Sequence, residues 1–270
     1  KIKERIMLDL KEKLVLVTGS NAGIGYAIAK AFHHRGAVVI IHGRSEERVK
    51  GAQARLGGGS HRIVADLGSA EGCDALIKQA EALEKELGKP LDVIVHNMGI
   101  FQQIEFKDLS DEIWHQYFEV NVMSNVRVSR HFLGKMIDSG RDSRMIFISS
   151  ETGLRPIPAM VQYSMTKTAQ LSIARGMAEM TKGTKTTVNS VLPGPTWTEG
   201  VKGYLQGIAD KKGENVEDTA AAYIRENEPN SLIQRFIEPE EIAHAVVFVA
   251  ENSAVNGSAL RVEGGIIRAL

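Results

Sequence analysis

Short runs of valine, isoleucine and leucine alternate along the chain with longer stretches whose apolar residues recur every three or four positions. The short runs are apolar at consecutive positions, as in strands covered by helices on both faces of a parallel sheet. The longer stretches have the spacing of amphipathic helices. The pattern predicts an α/β fold of strand–helix–strand units. The predicted strands are Leu14–Thr18, Val38–His42, His61–Ala65, Leu91–His96, Arg144–Ser149, Thr186–Leu192 and Ala259–Val262.

The predicted helices lie between these strands, and several have a start that can be argued. Ser45 and Ser69 each precede a helical stretch, where a serine hydroxyl can accept a hydrogen bond from a backbone N–H of the first turn. The predicted helices are Gly23–Arg35, Glu46–Leu56, Ala70–Leu87, Asp111–Ile137, Val161–Thr181 and Pro239–Ala250. The stretch 193–238 breaks the alternation, with helical patches and no predicted strand. Because long insertions in compact domains are often functional, we expect a substrate lid at about 194–238.

Composition and charge exclude several classes of protein. The 270 residues are 43% hydrophobic and 24% charged, which is enough for a buried core. Lys plus Arg and Asp plus Glu both number 33, so the charge gives no reason to expect a nucleic acid or an anionic membrane as partner. The longest fully apolar run, Ala245–Ala250, is too short to span a bilayer. We expect a cytoplasmic protein, and one without a metal centre or a disulfide, since Cys73 is the single cysteine.

A glycine-rich turn follows the first predicted strand and leads directly into the first predicted helix. Its spacing is Gly19-x-x-x-Gly23-x-Gly25. A strand, a glycine turn and a helix N-terminus bring free backbone N–H groups and the positive end of the helix dipole to one point, which suits a pyrophosphate. The alternative is that the glycines serve only a tight turn and close helix packing.

The end of the second predicted strand discriminates between two cofactors. In a dinucleotide-binding fold this position faces the adenosine ribose, where NAD enzymes have an acidic residue and NADP enzymes an arginine near the 2′-phosphate. Gly43 and Arg44 stand there. A guanidinium can bind a phosphate with two hydrogen bonds, so NADP(H) is favoured, while NAD(H) stays open. The alternative is that Arg44 is a solvated charge at the start of a helix.

A tyrosine and a lysine on one predicted helix are candidates for proton transfer. Tyr163 and Lys167 are four positions apart, so they lie on the same face. A nearby ammonium group favours the phenolate and can bring the tyrosine pKa into working range. Ser149 and Ser150 end the fifth predicted strand, and ligands bind at the carboxyl ends of strands in open α/β sheets. A serine hydroxyl there can hold a carbonyl oxygen.

These motifs together resemble the short-chain dehydrogenase/reductase family over nearly the whole chain. The motifs that carry the resemblance are Thr18-Gly19-x-x-x-Gly23-x-Gly25, Asp66-Leu67, His96-Asn97-Met98-Gly99, Asn121-Val122, Ser150, Tyr163-x-x-x-Lys167 and Pro193-Gly194-x-x-x-Thr198. The resemblance implies a single Rossmann-type, doubly wound domain over residues 1–270, with a seven-stranded parallel sheet in the order 3-2-1-4-5-6-7. It also implies a homotetramer, or a dimer.

The resemblance assigns a role to each of four residues. Tyr163 is implied to be the general acid/base, and Ser150 to polarise the substrate carbonyl. Lys167 is implied to tune Tyr163 and to bind the nicotinamide ribose, and Asn121 to hold a water that links Lys167 to solvent. Two donors on one oxygen stabilise the alkoxide that develops as the cofactor delivers its hydride.

The resemblance also implies which residues contact the cofactor. They are Gly19, Ser20, Asn21, Gly23, Ile24, Gly25, Arg44, Asp66, Leu67, Asn97, Gly99, Tyr163, Lys167, Pro193, Gly194, Thr196 and Thr198. His96 and Met98 replace the Asn and Ala common in the family. We interpret His96 as a strand-end residue without a catalytic role, and we expect Met98 to narrow the adenosine side or to shift the neighbouring strand.

The leading hypothesis is an NADP(H)-dependent enzyme that interconverts a ketone or 3-oxoacyl carbonyl and a secondary alcohol. The alternatives are an NAD-dependent alcohol or sugar dehydrogenase and a nucleotide-sensing protein that keeps the fold without catalysis. Arg155 is a candidate anchor for an anionic substrate, with a solvated loop arginine as the alternative. The lid offers apolar side chains to a small-molecule substrate, namely Trp197, Tyr204, Leu205, Ile208 and Tyr223.

Overall fold

The computed structural model describes residues 7–269. Their strands form one parallel sheet in the order β3-β2-β1-β4-β5-β6-β7, which confirms the predicted order. Each strand begins and ends within one residue of its predicted bounds. The strands are β1 Leu14–Val17, β2 Val38–Gly43, β3 Ser60–Val64, β4 Leu91–His96, β5 Ser143–Ile148, β6 Thr186–Pro193 and β7 Ala259–Val262.

The helices lie between the strands, and their first turns show why they begin where they do. The hydroxyls of Ser45 and Ser69 accept hydrogen bonds from Arg48 N and Gly72 N, so both predicted caps are present. The helices are α1 Gly23–His34, α2 Glu46–Leu56, α3 Ala70–Leu87, α4 Asp111–Phe118, α5 Ser124–Asp138, α6 Val161–Met180, α7 Glu199–Lys212, α8 Val216–Asn227 and α9 Pro239–Glu251. Among residues 7–269, none of these helices is long and apolar enough to cross a membrane.

The predicted helix Asp111–Ile137 is interrupted, which corrects the sequence interpretation. A π-helical turn, Glu119–Met123, separates α4 from α5. The wide turn brings the Asn121 amide to the backbone of Ile100, where Oδ1 accepts from the N–H at 2.8 Å and Nδ2 donates to the carbonyl at 2.9 Å. Single π turns inside helices often occur at functional sites.

Helices cover both faces of the sheet, and alternate residues of β1 divide between the two layers. Val15 and Val17 pack with α1 and α9. Leu14 and Leu16 pack with α3, α5 and α6. All four side chains are fully buried. The central strand is therefore fixed from both sides, and so is the start of the glycine turn at its carboxyl end.

The sequence of α4 and α5 has apolar residues on more than one face, which a second subunit could bury, and the structure explains part of this pattern within one chain. Val122 and Phe132 are buried in this one subunit. Phe118, on α4, remains 42% exposed. The homotetramer stays a prediction.

The segment predicted as a lid forms α7 and α8 and has a hydrophobic cluster of its own. Leu205 and Phe236 are buried in this cluster. The rings of Trp197 and Tyr223 pack on Phe236, with centroids 5.3 Å and 6.0 Å away. Tyr204 is 60% exposed. Of the apolar side chains that the sequence analysis named in this segment, four pack within the cluster and hold the two helices together, namely Trp197, Leu205, Ile208 and Tyr223.

Candidate active site

The carboxyl ends of β1 and β4 meet where the strand order of the sheet reverses, which is where open α/β sheets bind ligands. Asn97, directly after β4, joins the two ends. Its side-chain amide donates to the carbonyls of Thr18 and Gly19 at 3.0 Å and 3.1 Å. The Thr18 hydroxyl oxygen in turn accepts from the backbone N–H groups of Asn97 and Met98. Asn97 thus fixes the start of the glycine turn to the end of β4 through hydrogen bonds.

The glycine turn has a backbone that larger residues would not allow. Gly19 and Gly23 have φ of 63° and 55°, in the left-handed region that favours glycine. A Cβ atom on Gly25 would lie 2.3 Å from the carbonyl oxygen of Gly19 and 2.4 Å from Asn97 Nδ2. The close approach of α1 to the turn therefore requires glycine at position 25.

His42, near the end of β2, holds the turn from the other side, and the sequence analysis did not single it out. The Gly19 N–H donates to His42 Nδ1 at 3.0 Å, and His42 Nε2 lies 3.1 Å from the carbonyl oxygen of Ala65. This pairing requires a neutral ring with its proton on Nε2. Burial lowers the His42 pKa to about 4, which keeps the ring neutral.

Ser20 and Asn21 occupy the middle of the turn. Both donors of Ser20 are used inside the protein, because its N–H donates to the His42 carbonyl and its hydroxyl donates to the Val17 carbonyl. Ser20 therefore stabilises the conformation of the turn, and in this structure neither of its donors is free for a ligand. The Asn21 carbonyl accepts from Arg55 Nη2 at 3.2 Å, and the Arg55 guanidinium lies over the ring of Tyr26.

In this structure the glycine turn binds an anionic group of the protein itself, the side chain of Glu199. The Gly23 N–H, at the start of α1, donates to the carboxylate oxygen Oε2 of Glu199 at 3.1 Å. Glu199 is the first residue of α7. The turn thus binds a carboxylate through a backbone N–H at a helix N-terminus, which is the geometry that suits the phosphates of a dinucleotide.

The residues expected to surround the adenosine lie at the ends of β2 and β3. Arg44 is exposed directly after β2. Asp66 is exposed after β3, where its carboxylate accepts from the Gly68 N–H. The Leu67 side chain is buried in the core, so a contact with adenine would use its backbone. Arg55, a residue that the motifs did not mark, adds a guanidinium at the glycine turn, where it bonds to the Asn21 carbonyl.

The residues after β6 form the side of the candidate cofactor site that faces the glycine turn. Gly194 N–H donates to the Val262 carbonyl, and a Cβ on Gly194 would lie 2.9 Å from Glu263 Cα. The Thr196 hydroxyl donates to the Gly194 carbonyl, whereas the Thr198 hydroxyl accepts from Val201 N and caps α7. The hydroxyls of both threonines are therefore used in shaping this loop.

Ser150, Tyr163 and Lys167 come together beyond the end of β5. Ser150 lies two residues after β5, and the other two lie one turn apart on α6. Lys167 Nζ donates to the Ile148 carbonyl at 2.9 Å and to Gln170 Oε1 at 3.2 Å. It lies 5.4 Å from the centre of the Tyr163 ring.

Burial shifts the pKa values of these two groups in opposite directions. It lowers the pKa of Lys167 to about 7, with the charge of Glu151 acting the other way. It raises the pKa of Tyr163, and hydrogen bonding with Ser150 opposes this only in part. The sequence analysis expected Lys167 to lower the tyrosine pKa. In this structure burial, the largest cause, raises the tyrosine pKa, and the charge of Glu151 raises it further.

The Gln170 side chain links Asn121 to Lys167. Gln170 Nε2 donates to the Asn121 carbonyl at 2.7 Å, while Gln170 Oε1 accepts from Lys167 Nζ. Asn125 Nδ2 donates to the same Asn121 carbonyl at 2.9 Å. Both acceptor positions of this carbonyl are thus taken by protein amides. Gln170 was missed by the sequence analysis because it belongs to no motif quoted there.

A buried acid adjoins the serine. Glu151 is 5% exposed, and its Oε2 accepts the Ser150 hydroxyl at 2.6 Å. Arg155 does not point to a free anion site, which corrects the expectation of a substrate anchor. Its Nη2 bonds to both carboxylate oxygens of Glu228 at 2.8 Å, just beyond α8.

His96 and Met98 are explained by packing. The His96 ring is buried, contacts Ser129 Oγ through Nε2 at 2.9 Å and lies 4.7 Å from the ring of Phe147. Burial lowers its pKa to about 3, so it stays neutral. Met98 packs against the core layer on the α3 and α5 side.

The sheet, the glycine turn at its switch point and the tyrosine–lysine pair beyond β5 define an α/β protein of the dehydrogenase class. The sequence profile of the short chain dehydrogenase family matches residues 13–208, and the chain belongs to this family. It is an oxidoreductase, as predicted.

Three relatives illustrate the similarity. The chain is 52% identical over 267 residues to the uncharacterized oxidoreductase YvrD of Bacillus subtilis (strain 168), covering 97% of this chain and 99% of that protein. It is 29% identical over 263 residues to 3-oxoacyl-(acyl-carrier-protein) reductase FabG of Rickettsia prowazekii (strain Madrid E), covering 97% and 99%. The crystal structure of L-sorbose reductase from Gluconobacter frateurii, complexed with NADPH and L-sorbose, matches with a TM-score of 0.89 at 26% identity and covers 97% and 100%.

Proposed function

We propose that the protein interconverts a carbonyl compound and a secondary alcohol with NADP(H), with Tyr163 as the general acid/base. The observation that carries the proposal is the convergence of Ser150, Tyr163 and Lys167 at the sheet edge that also holds the glycine turn. The three side chains belong to a strand end and one helix, so their relative positions are fixed by regular structure.

The residues divide the work as follows. The glycine turn and the loop after β6 hold the dinucleotide, which when bound supplies or accepts the hydride. Ser150 and Tyr163 donate hydrogen bonds to the carbonyl oxygen, and Tyr163 gives its proton to that oxygen as negative charge develops. Lys167 places a positive charge close to the phenol in its protonated form.

The preference for NADP(H) is supported by the end of β2. Gly43, Arg44 and Ser45 contain no carboxylate that would repel a 2′-phosphate. Arg44 is exposed there, and Arg55 lies close to the turn. Several similar proteins were solved with NADPH or NADP bound, among them an actinorhodin polyketide ketoreductase.

The substrate is a small ketone or a 3-oxoacyl compound. Phe101 is 64% exposed, and its ring centre lies 6.2 Å from that of Tyr163. It therefore offers an apolar surface next to the position of the carbonyl. The names of the reductases that resemble the chain support the same substrate class. We also propose that α7 and α8 cover the substrate as a lid.

A screen of ketones and 3-oxoacyl thioesters tests the proposal, with NADPH and NADH oxidation followed by absorbance. We expect turnover with NADPH for at least one of them and tighter binding of NADPH than NADH in a fluorescence titration. Binding of either nucleotide without turnover in any member of the screen, in both directions, would favour the nucleotide-sensing alternative.

A further inference from the structure

The hydroxyl of Ser150 is already engaged by two neighbours. It donates to Glu151 Oε2 at 2.6 Å, and its oxygen accepts from Thr152 N at 3.2 Å. Ser150 and Glu151 are 6% and 5% exposed, so solvent does not compete strongly for these bonds. A serine hydroxyl has one hydrogen. That hydrogen does not serve a Glu151 carboxylate and a substrate oxygen at the same time.

We propose that Glu151 is a positioning residue that decides, through its own protonation, whether Ser150 donates its hydrogen to the substrate carbonyl. A protonated Glu151 donates to Ser150 Oγ and leaves the serine hydrogen for the substrate. An ionised Glu151 takes that hydrogen for itself. The inference rests on the proposed function, because it concerns the reduction of a carbonyl at this site.

The charged groups around Glu151 leave its carboxylate poorly compensated. Arg155 Nη2 is 4.0 Å from Glu151 Oε1, but the same nitrogen bonds to both oxygens of Glu228 at 2.8 Å. Tyr163 and Lys167 face Glu151 from α6. Arg155 thus pairs more closely with Glu228 than with Glu151. Lys167 Nζ donates to the Ile148 carbonyl and to Gln170 Oε1.

These surroundings place the titration of Glu151 in the physiological range. Burial raises its pKa to about 7. The hydrogen bond from Ser150 and the charge of Arg155 act in the opposite direction, and the charge of Glu228 raises the pKa further. Both forms of Glu151 are therefore populated near neutral pH.

The two forms give different sites for the carbonyl oxygen. Below the pKa of Glu151, the oxygen receives hydrogen bonds from Ser150 and Tyr163. Above it, Tyr163 is left as the donor, and a carboxylate stands close to the negative charge that develops on the oxygen. Lost donors and a nearby negative charge both destabilise an alkoxide. Carbonyl reduction should therefore slow as the pH rises through neutrality.

The test is the pH profile of kcat/KM for NADPH-dependent reduction between pH 6 and 8.5, in the wild type and in Glu151→Gln. The glutamine amide does not titrate, and it can donate to Ser150 as the protonated acid does. The wild type should lose activity by about thirtyfold across this range, with a midpoint near 7, as expected for one essential protonated group. In Glu151→Gln the alkaline loss should be clearly smaller than in the wild type, and the loss that remains belongs to Lys167, whose pKa also lies at about 7.

Two further variants separate this role from a structural one. Glu228→Gln releases Arg155 to pair with Glu151, so the midpoint should move to lower pH. Glu179→Gln removes an exposed carboxylate from the same helix as Tyr163 and should keep the wild-type profile. An unchanged midpoint in Glu228→Gln overturns the inference even if Glu151→Gln does not fold.

A measurement without substrate distinguishes failure of the inference from failure of the proposed function. Infrared difference spectra of the wild type should show a protonated carboxyl group that titrates near pH 7 and is missing in Glu151→Gln. If that band is present but no carbonyl is reduced, the proposed function fails. If reduction is observed and the band is missing, or the alkaline loss is as large in Glu151→Gln as in the wild type, the role of Glu151 fails.

Discussion

Gln170 joins the side chain of Lys167 to the backbone carbonyl of Asn121, with Nε2 2.7 Å from the carbonyl oxygen. Gln170 is 1% exposed. A single side chain thus connects the π-helical turn to the lysine of α6. The position of Lys167 therefore depends on the irregular turn in the neighbouring helix.

Replacing Gln170 with leucine should destabilise the protein by about 1–3 kcal/mol, because a buried carbonyl loses a donor and Lys167 loses an acceptor. Urea denaturation measures the change. Gln116→Leu, at an exposed position on α4, is the matched control and should change stability little. Equal losses in the two variants would contradict a specific role for Gln170.

Tyr163→Phe should lower kcat by about a hundredfold to ten-thousandfold, since it removes the proposed proton donor and leaves the ring in place. NADPH affinity, measured by fluorescence titration, should change little. Tyr204→Phe removes a hydroxyl from an exposed tyrosine of α7 and serves as the control. Retained turnover in Tyr163→Phe would remove this residue from the mechanism.

Arg44→Ala should weaken NADPH binding by about tenfold to a hundredfold and leave NADH binding nearly unchanged, because it removes a charged hydrogen bond to the 2′-phosphate. Arg48→Ala, an exposed arginine on α2, controls for the general loss of positive charge. A loss of the same size for both nucleotides would argue that Arg44 does not read the 2′-phosphate.

Glu199→Gln should tighten NADPH binding by about twofold to fivefold, because the turn no longer holds a charged group that competes with the phosphates at the start of α1. The comparison is Glu217→Gln, an exposed carboxylate in the first turn of α8. Weaker binding in Glu199→Gln would show that the carboxylate assists the cofactor.

His42 should make the protein less stable in mild acid. Its folded pKa, about 4, lies below the unfolded value near 6.5, so the unfolded chain binds the proton first. Stability should fall as the pH drops from about 6.5 to about 4, with a total contribution of about 3 kcal/mol. Denaturation curves of the wild type and His42→Asn at several pH values measure it. A slope that is the same in both would contradict this role.

The regular parts of the fold could be predicted because their signals are local. The bounds of β4 and β7 are those that the apolar runs gave. The long helix was predicted without its π turn because the apolar spacing continues through Glu119–Met123. The turn depends on the bond between Asn121 and the Ile100 backbone, which is a tertiary contact and leaves no periodic signal.

The parts of the candidate site that belong to a motif could be predicted from the sequence. Residues were missed where their hydrogen-bond or charge partners come from distant parts of the chain. Ser150, Tyr163 and Lys167 do come together in space. Glu151 shows no pattern of its own, and its surroundings depend on Glu228, far along the chain. A carboxylate next to a serine in a loop is ordinarily solvated, so its burial was not visible in the sequence.

The separate cluster of α7 and α8 has a consequence for how this protein and its relatives diverge. Changes in Leu205 or Phe236 alter packing within that pair of helices and leave the two layers around the sheet untouched. The residues proposed to act in proton transfer, Ser150, Tyr163 and Lys167, lie after β5 and on α6, outside this cluster. We therefore expect substitutions inside this cluster to change the range of substrates that the proposed lid accepts more readily than the proposed chemistry.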